Sequence, residues 1–333
     1  MARELGLLLA LAGAGLGAPV QGVQGQAPAV RIGLYCSGGA SHCQATAPTC
    51  CEPQPEYLAT LTVAARMAFG ASGFTIANMT AADVGALEPS ALDVAVFPGG
   101  SGNGQAAAVG PAGLVALRKF VAAGKGYIGT CGGSFLGLQH VGFYLPPKHA
   151  PCGDVSKADK LLQPHCTPLT QEPFDRGDGD VQVEFTQAVS IDTFSICAPS
   201  VSLTPNVSLF QGLEQLSLPP AQFSGNVTIF YGQGPIVKGD AFPPFVKQLA
   251  FYRSEIHSRH TANTTGEMLN TPAITTLDGY STSGPSGQGQ GGRVVLNSPH
   301  PELTKPPIPA IYAGELSWVL RRRGWITPLV PGA

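Results

Sequence analysis

The chain has 333 residues, enough for one large or two ordinary domains with a sizeable core. Only 12% of the residues are charged, against about a quarter in ordinary globular proteins, and the formal net charge is −2. That balance argues against nucleic acid or an anionic membrane surface as a partner. The one basic run, Arg321-Arg-Arg323, follows a helix-like segment and reads as a solvated helix end, where cations suit the helix dipole.

The amino terminus reads as a secretory signal over residues 1–22. Arg3 is followed by an apolar run, Leu7 to Leu16, and by small residues at Gly17 and Ala18. That run is too short to span a bilayer comfortably, and no second apolar stretch of membrane length follows. Four Asn-x-Ser/Thr sequons, at Asn78, Asn206, Asn226 and Asn263, and eight cysteines point the same way. The expectation is a secreted or secretory-lumen glycoprotein with one domain over residues 28–325. Setting Cys131 aside leaves Cys36, Cys43, Cys50, Cys51, Cys152, Cys166 and Cys197, for which three disulfides and a spare thiol are the simplest account; the connectivity stays open. The cluster from Cys36 to Cys51 lies beside His42, but an oxidising compartment favours disulfides over zinc there. No metal or cofactor is expected.

After a Gln/Gly/Pro-rich linker, Val30 to Tyr35 reads as a first strand, and Pro55 opens a helix through Met67 with apolar residues at helical spacing. Gly73 to Ala77 is a second strand, and Thr80-Ala-Ala-Asp83 can cap another helix. Leu92 to Phe97 is a third strand, nearly all apolar, as a strand buried on both faces should be. It runs into the glycine-rich turn Pro98-Gly-Gly-Ser-Gly102, where backbone N–H groups can approach a ligand. A helix over Gly110–Ala123 and a strand over Tyr127–Thr130 follow. Strands alternating with helices at this spacing imply a doubly wound, mostly parallel sheet of flavodoxin-like type.

That last strand delivers Gly129-x-Cys131-x-Gly133, a cysteine version of the strand-to-helix nucleophile elbow. The turn is sharp, so side chains two residues either side of the nucleophile would collide, and glycine removes them. The helix beginning at Ser134 offers free N–H groups and a positive dipole end, which favour negative charge on sulfur. In parallel sheets, sites form beyond the carboxyl ends of strands, where both the Gly99-Gly100 turn and Cys131 fall.

Leu145 to Arg176 reads as an irregular, cysteine-tied insertion. Val181–Phe185, Val227–Tyr231 and Gln248–Tyr252 are further strands, and Gly279 to Gly292 is a flexible Ser/Gly/Gln-rich loop. A late strand from Gly292 then runs into Ser298-Pro-His-Pro-Glu302. In an extended segment residues i and i+2 share a face, so Glu302 can orient His300, which is what a base serving a thiol nucleophile needs. Glu255, His257 and His260 have no motif around them and read as polar surface.

Phe97-Pro-Gly-Gly100, Gly129-Thr-Cys-Gly-Gly133 and Ser298-Pro-His-Pro-Glu302, in that order, resemble the class I glutamine amidotransferase-like superfamily. Tyr231-Gly-Gln-Gly-Pro235 and the Gly292-Arg-Val-Val-Leu strand resemble, more narrowly, the domain found at the amino terminus of some biotin–protein ligases. The resemblance implies Cys131 as nucleophile, His300 as base and Glu302 as orienting carboxylate, with an oxyanion hole from the backbone at Gly100 and Gly132. The family's glutamine soon after the elbow has no counterpart in Ser134-Phe-Leu-Gly137 and no synthetase partner domain is expected, so glutaminase activity is not expected; with no ligase catalytic domain expected either, nor is biotin transfer. The expected substrate is a small molecule or peptide bearing an amide or related carbonyl. The alternative is a catalytically inactive glycoprotein that uses the same fold as a binding module.

Overall fold

The computed structural model describes residues 29–41, 43, 50–143, 178–185, 226–236, 246–255, 268–280 and 291–320. Among these residues, nine strands form one sheet: β1 (Val30–Tyr35), β2 (Phe74–Met79), β3 (Val94–Phe97), β4 (Gly126–Thr130), β5 (Asp178–Phe185), β6 (Asn226–Gly232), β7 (Val246–Tyr252), β8 (Pro272–Tyr280) and β9 (Gly292–Asn297). The helices are α1 (Pro55–Phe69), α2 (Ala81–Gly85), α3 (Gly102–Ala122), α4 (Gly132–Phe135, continued as a π-helical turn through Val141) and α5 (Pro309–Val319).

The strand order is β2-β1-β3-β4-β9-β8-β7-β5-β6. The first five strands pair parallel and the rest antiparallel, so the sheet is mixed rather than mostly parallel as the sequence suggested. The missing piece was β8. Its sequence, Pro-Ala-Ile-Thr-Thr-Leu-Asp-Gly-Tyr, shows no alternation because nearly all of it is buried, Thr275 and Thr276 included. Pairing antiparallel to β9, it turns the direction of the whole second half.

Period-two alternation sorts the parallel half into two apolar clusters. Ile32, Val94, Val96, Ile128 and Val295 join Tyr57 and Leu61 of α1 and Ile311, Leu316 and Trp318 of α5. Tyr35, Phe97, Tyr127, Val294 and Leu296 join Val84 of α2, Leu117 and Phe120 of α3, and Leu136 and Val141 beyond α4. Every residue of β3 and β4 is buried, which explains their nearly unbroken apolar runs.

Local chemistry sets the helix ends. Pro55 sits in the first turn of α1, where its missing N–H costs nothing. Thr80 and Asp83 form a reciprocal capping box on α2. Helix α3 starts earlier than expected, at Gly102, because the Ser101 Oγ accepts the Gly104 N–H at 3.0 Å. The chain then breaks at Gly110, with φ of 69°, and resumes at Pro111, so the expected helix is its second half.

Cys36–Cys51 and Cys43–Cys50 are disulfides that tie the loop after β1. Cys152, Cys166, Cys197, the insertion over 145–176, the signal segment, Asn206, Asn263 and Arg321–Arg323 lie outside the described residues. Asn78 is exposed on β2, at one edge of the sheet, and Asn226 opens β6 at the other. Among the described residues no helix is long and apolar enough to cross a membrane.

Candidate active site at the elbow after the fourth strand

The strand-to-helix elbow forms where β4 ends. Cys131 adopts φ 49° and ψ −105°, a conformation that costs a residue with a Cβ on the order of 1–3 kcal/mol. The surroundings hold it there. Its N–H donates to the Asn297 carbonyl at 2.8 Å, the Phe135 N–H donates to its carbonyl at 2.9 Å, and the Gly133 N–H donates to Pro98 O at 3.1 Å. The Ser134 hydroxyl is shared between Gly129 O at 2.8 Å and Asn297 O at 2.7 Å. The flanking glycines are required by contact: a Cβ on Gly129 would lie 2.6 Å from Gly133 O, and one on Gly133 2.1 Å from Phe97 O. The Gly99-Gly100 turn abuts the elbow, since a Cβ on Gly132 would lie 2.4 Å from Gly100 O. Cys131 carries no disulfide and is 5% exposed.

His300 enters from the end of β9. Its N–H donates to Phe230 O at 2.7 Å, and its carbonyl accepts the Thr304 hydroxyl at 2.9 Å. The ring stands edge-on to Phe230. The Glu302 carboxylate reaches His300 Nδ1 at 2.7 Å, but not by the extended i, i+2 geometry expected. The chain turns instead, with the Leu303 and Thr304 N–H groups both donating to His300 O at 3.2 Å, and this turn folds Glu302 back onto the ring.

Behind Glu302 runs a buried hydroxyl chain. Its Oε2 accepts the Tyr312 hydroxyl at 2.6 Å, and the Tyr312 and Tyr57 hydroxyls each lie 3.0 Å from Thr130 Oγ1. In the sequence Tyr57 is one of the residues at helical spacing after Pro55, and nothing around Tyr312 marks it. The pairing arises only because α1 and α5 pack together over the parallel strands. The other unforeseen group is the backbone at the end of β6. Cys131 Sγ donates to the Gly232 carbonyl at 3.3 Å, and His300 Nε2 faces the same oxygen at 3.2 Å. That carbonyl belongs to Tyr231-Gly-Gln-Gly-Pro235, a segment conspicuous in the sequence without any role attached to it.

Electrostatics favour a charged imidazole. Burial pushes the His300 pKa down, but the Glu302 charge, the Cys131 sulfur acting through charge and a hydrogen bond, and the Glu302 hydrogen bond outweigh it. The result lies well above the ordinary imidazole value. The geometry is compatible with the proton on either atom, because a carbonyl oxygen only accepts. Gly232 O can accept from Sγ–H or from Nε2–H, so it stabilises the proton on whichever of the two atoms holds it. Of the other polar cluster, Glu255 accepts the Met268 and Leu269 N–H groups at 2.6 and 2.9 Å and serves as a turn cap, while His257 and His260 lie outside the described residues.

No family model matches this chain, and no curated protein does. Among solved structures it is similar to a glutamine amidotransferase, at 14% identity over 79% of this chain and 92% of that one, with a TM-score of 0.38. It is also similar to a ThuA-like protein from Bacteroides uniformis, at 12% identity over 91% of this chain and 95% of that one, with a TM-score of 0.42. At these values the likeness transfers no residue roles.

Proposed function

We propose that this chain is a secreted, thiol-dependent hydrolase-like protein of the class I glutamine amidotransferase-like type, built on a doubly wound core and acting on an amide or related carbonyl. The observation that carries this reading is the shared acceptor: Cys131 Sγ and His300 Nε2 converge on the Gly232 carbonyl, with Glu302 on the far side of the imidazole. The Sγ proton passes to Nε2, and the Glu302 carboxylate stabilises the imidazolium that forms. The sulfur attacks the substrate carbonyl carbon, and backbone N–H groups at Gly100 and Gly132 receive the oxyanion. His300 returns its proton to the leaving amine, and water then cleaves the acyl-enzyme with His300 as base. The signal segment over residues 1–22, the domain over 28–325, its closer kinship with the biotin–protein ligase amino-terminal domain, and glycosylation at Asn78, Asn206, Asn226 and Asn263 belong to the same reading.

The test is mass mapping of free thiols on unreduced protein at neutral pH. Rapid alkylation of Cys131, abolished in Cys131→Ala with the melting temperature retained, is the expected result. A Cys131 that resists alkylation while the folded protein is intact overturns it. The second reading, a non-catalytic binding module, draws on the same carbonyl, because Gly232 O occupies the hydrogen-bonding direction of both reactive groups in the resting state.

A further inference from the structure

Glu315 on α5 has no task in the chemistry above. It is 1% exposed and receives the side-chain N–H of Asn297 at 3.0 Å; Asn297 itself is fully buried at the end of β9. Two polar atoms of this pair, Glu315 Oε1 and Asn297 Oδ1, are shut off from solvent with no hydrogen-bond partner among the described residues. An ionised carboxylate offers only acceptors, so it leaves an orphaned oxygen on each member of a pair already joined by one hydrogen bond. One proton removes both faults. A planar carboxylic acid and a planar amide each present a donor beside an acceptor, and together they close a ring of two hydrogen bonds.

The pair connects directly to the elbow. The backbone carbonyl of Asn297 is the oxygen that accepts the Cys131 N–H and the Ser134 hydroxyl. We propose that Glu315 is carried as a neutral carboxylic acid in a two-hydrogen-bond ring with the Asn297 amide, and that this ring positions Cys131 and opens when the acid loses its proton.

The electrostatic setting agrees with the geometry. Burial pushes the Glu315 carboxyl up to about 8 against the Asn297 bond, and the Glu302 charge pushes it the same way. The titratable groups around it are Glu302 on the loop after β9, Tyr312 one turn earlier on α5, and Tyr57 on α1. None is a cation. His300 is engaged by Glu302, and Arg293 of β9 is engaged by Asp278 and the Trp318 carbonyl. An ionised Glu315 would therefore place a second negative charge near the carboxylate that orients His300.

The ring acts on the backbone of Cys131 whatever its thiol chemistry, so the test reads the backbone. Infrared difference spectra of wild type against Glu315→Gln should show the carbonyl stretch of a protonated acid at neutral pH, lost above about pH 8. Hydrogen exchange of the Cys131 N–H, referenced to the buried Val96 N–H, should accelerate at least about tenfold in Glu315→Ala, the scale of one lost hydrogen bond. Glu315→Gln reproduces the donor and acceptor pattern, so it should restore protection and remove the extra alkaline loss seen in wild type. Absence of the acid band, or a Gln variant as impaired as the Ala variant, overturns the proposal. If the Ala variant does not fold, the pH profile of Glu315→Gln against wild type decides. Failure of Cys131 to alkylate would sink the hydrolase reading and leave these measurements intact.

Discussion

His300 and Glu315 each hold in the folded state a proton that the unfolded chain releases, His300 because its pKa is raised above 6.5 and Glu315 because burial lifts it from 4.5 to about 8. For a raised pKa the stabilising contribution is fully present below the unfolded value and is lost as pH rises through the folded one. Glu315 therefore lowers stability by about 1.4 kcal/mol per pH unit between 4.5 and 8, and His300 adds to the decline above 6.5. Denaturant melts across that window should show wild type falling and Glu315→Gln falling less steeply. Gly99 gives a second residue-level test. A Cβ there would lie 2.8 Å from His300 Cε1, so Gly99→Ala should displace the ring and slow Cys131 alkylation by about tenfold or more. Unchanged alkylation in a folded Gly99→Ala protein would separate the ring from the thiol. At this scale the sequence marks Cys131, His300 and Glu302 as candidates because each sits in a short motif, and the fold brings the three side chains together. The sequence does not mark Tyr57, Tyr312 or the Gly232 carbonyl, since a tyrosine on an apolar helix face and a backbone oxygen carry no pattern.

Caps and paired charges decide where the elements stop. Removing the side-chain half of the α2 capping box in Thr80→Ala should cost about 1 kcal/mol, read from the urea midpoint with unchanged slope. Arg293 is a heavier fixture. It is the second residue of β9, with a side chain 2% exposed, pairs with Asp278 of β8 at 2.9 Å, donates to the Trp318 carbonyl at 2.7 Å and stacks over the Trp318 ring. Arg293→Met keeps the stem but removes its bonds to Asp278 and to that carbonyl, and should cost about 2 kcal/mol. A loss of a few tenths would show that β8, β9 and α5 are held by packing alone. Elements with one dominant signal were read well: β1 matches its expected bounds, and α1 opens at its proline. In α3, Gly110-Pro111 reads as a start when it is a break, and in β8 burial on both faces removes the alternation that marks a strand.

At the scale of the molecule, the two disulfides after β1 clamp a loop whose backbone meets the glycine turn, through Ser41 N to Gly99 O at 3.1 Å and Ser101 N to Gly39 O at 2.8 Å. Reduction should cost about 3 kcal/mol for the wider, 15-residue link, and it should loosen the Gly99-Gly100 turn, seen as faster amide exchange there. The sequence by itself determined the alternating strands and helices of the parallel half, the elbow, and the His-Pro-Glu segment, because hydrophobic period, glycine placement and proline are local properties of the chain. Only the tertiary structure decided that the second half runs antiparallel, that α1 and α5 bring Tyr57 and Tyr312 together behind Glu302, and that the end of β6 sets its carbonyl between thiol and imidazole. Those relations join residues as far apart as Cys131 and Gly232, or Thr130 and Tyr312, and they follow from which buried surfaces fit together.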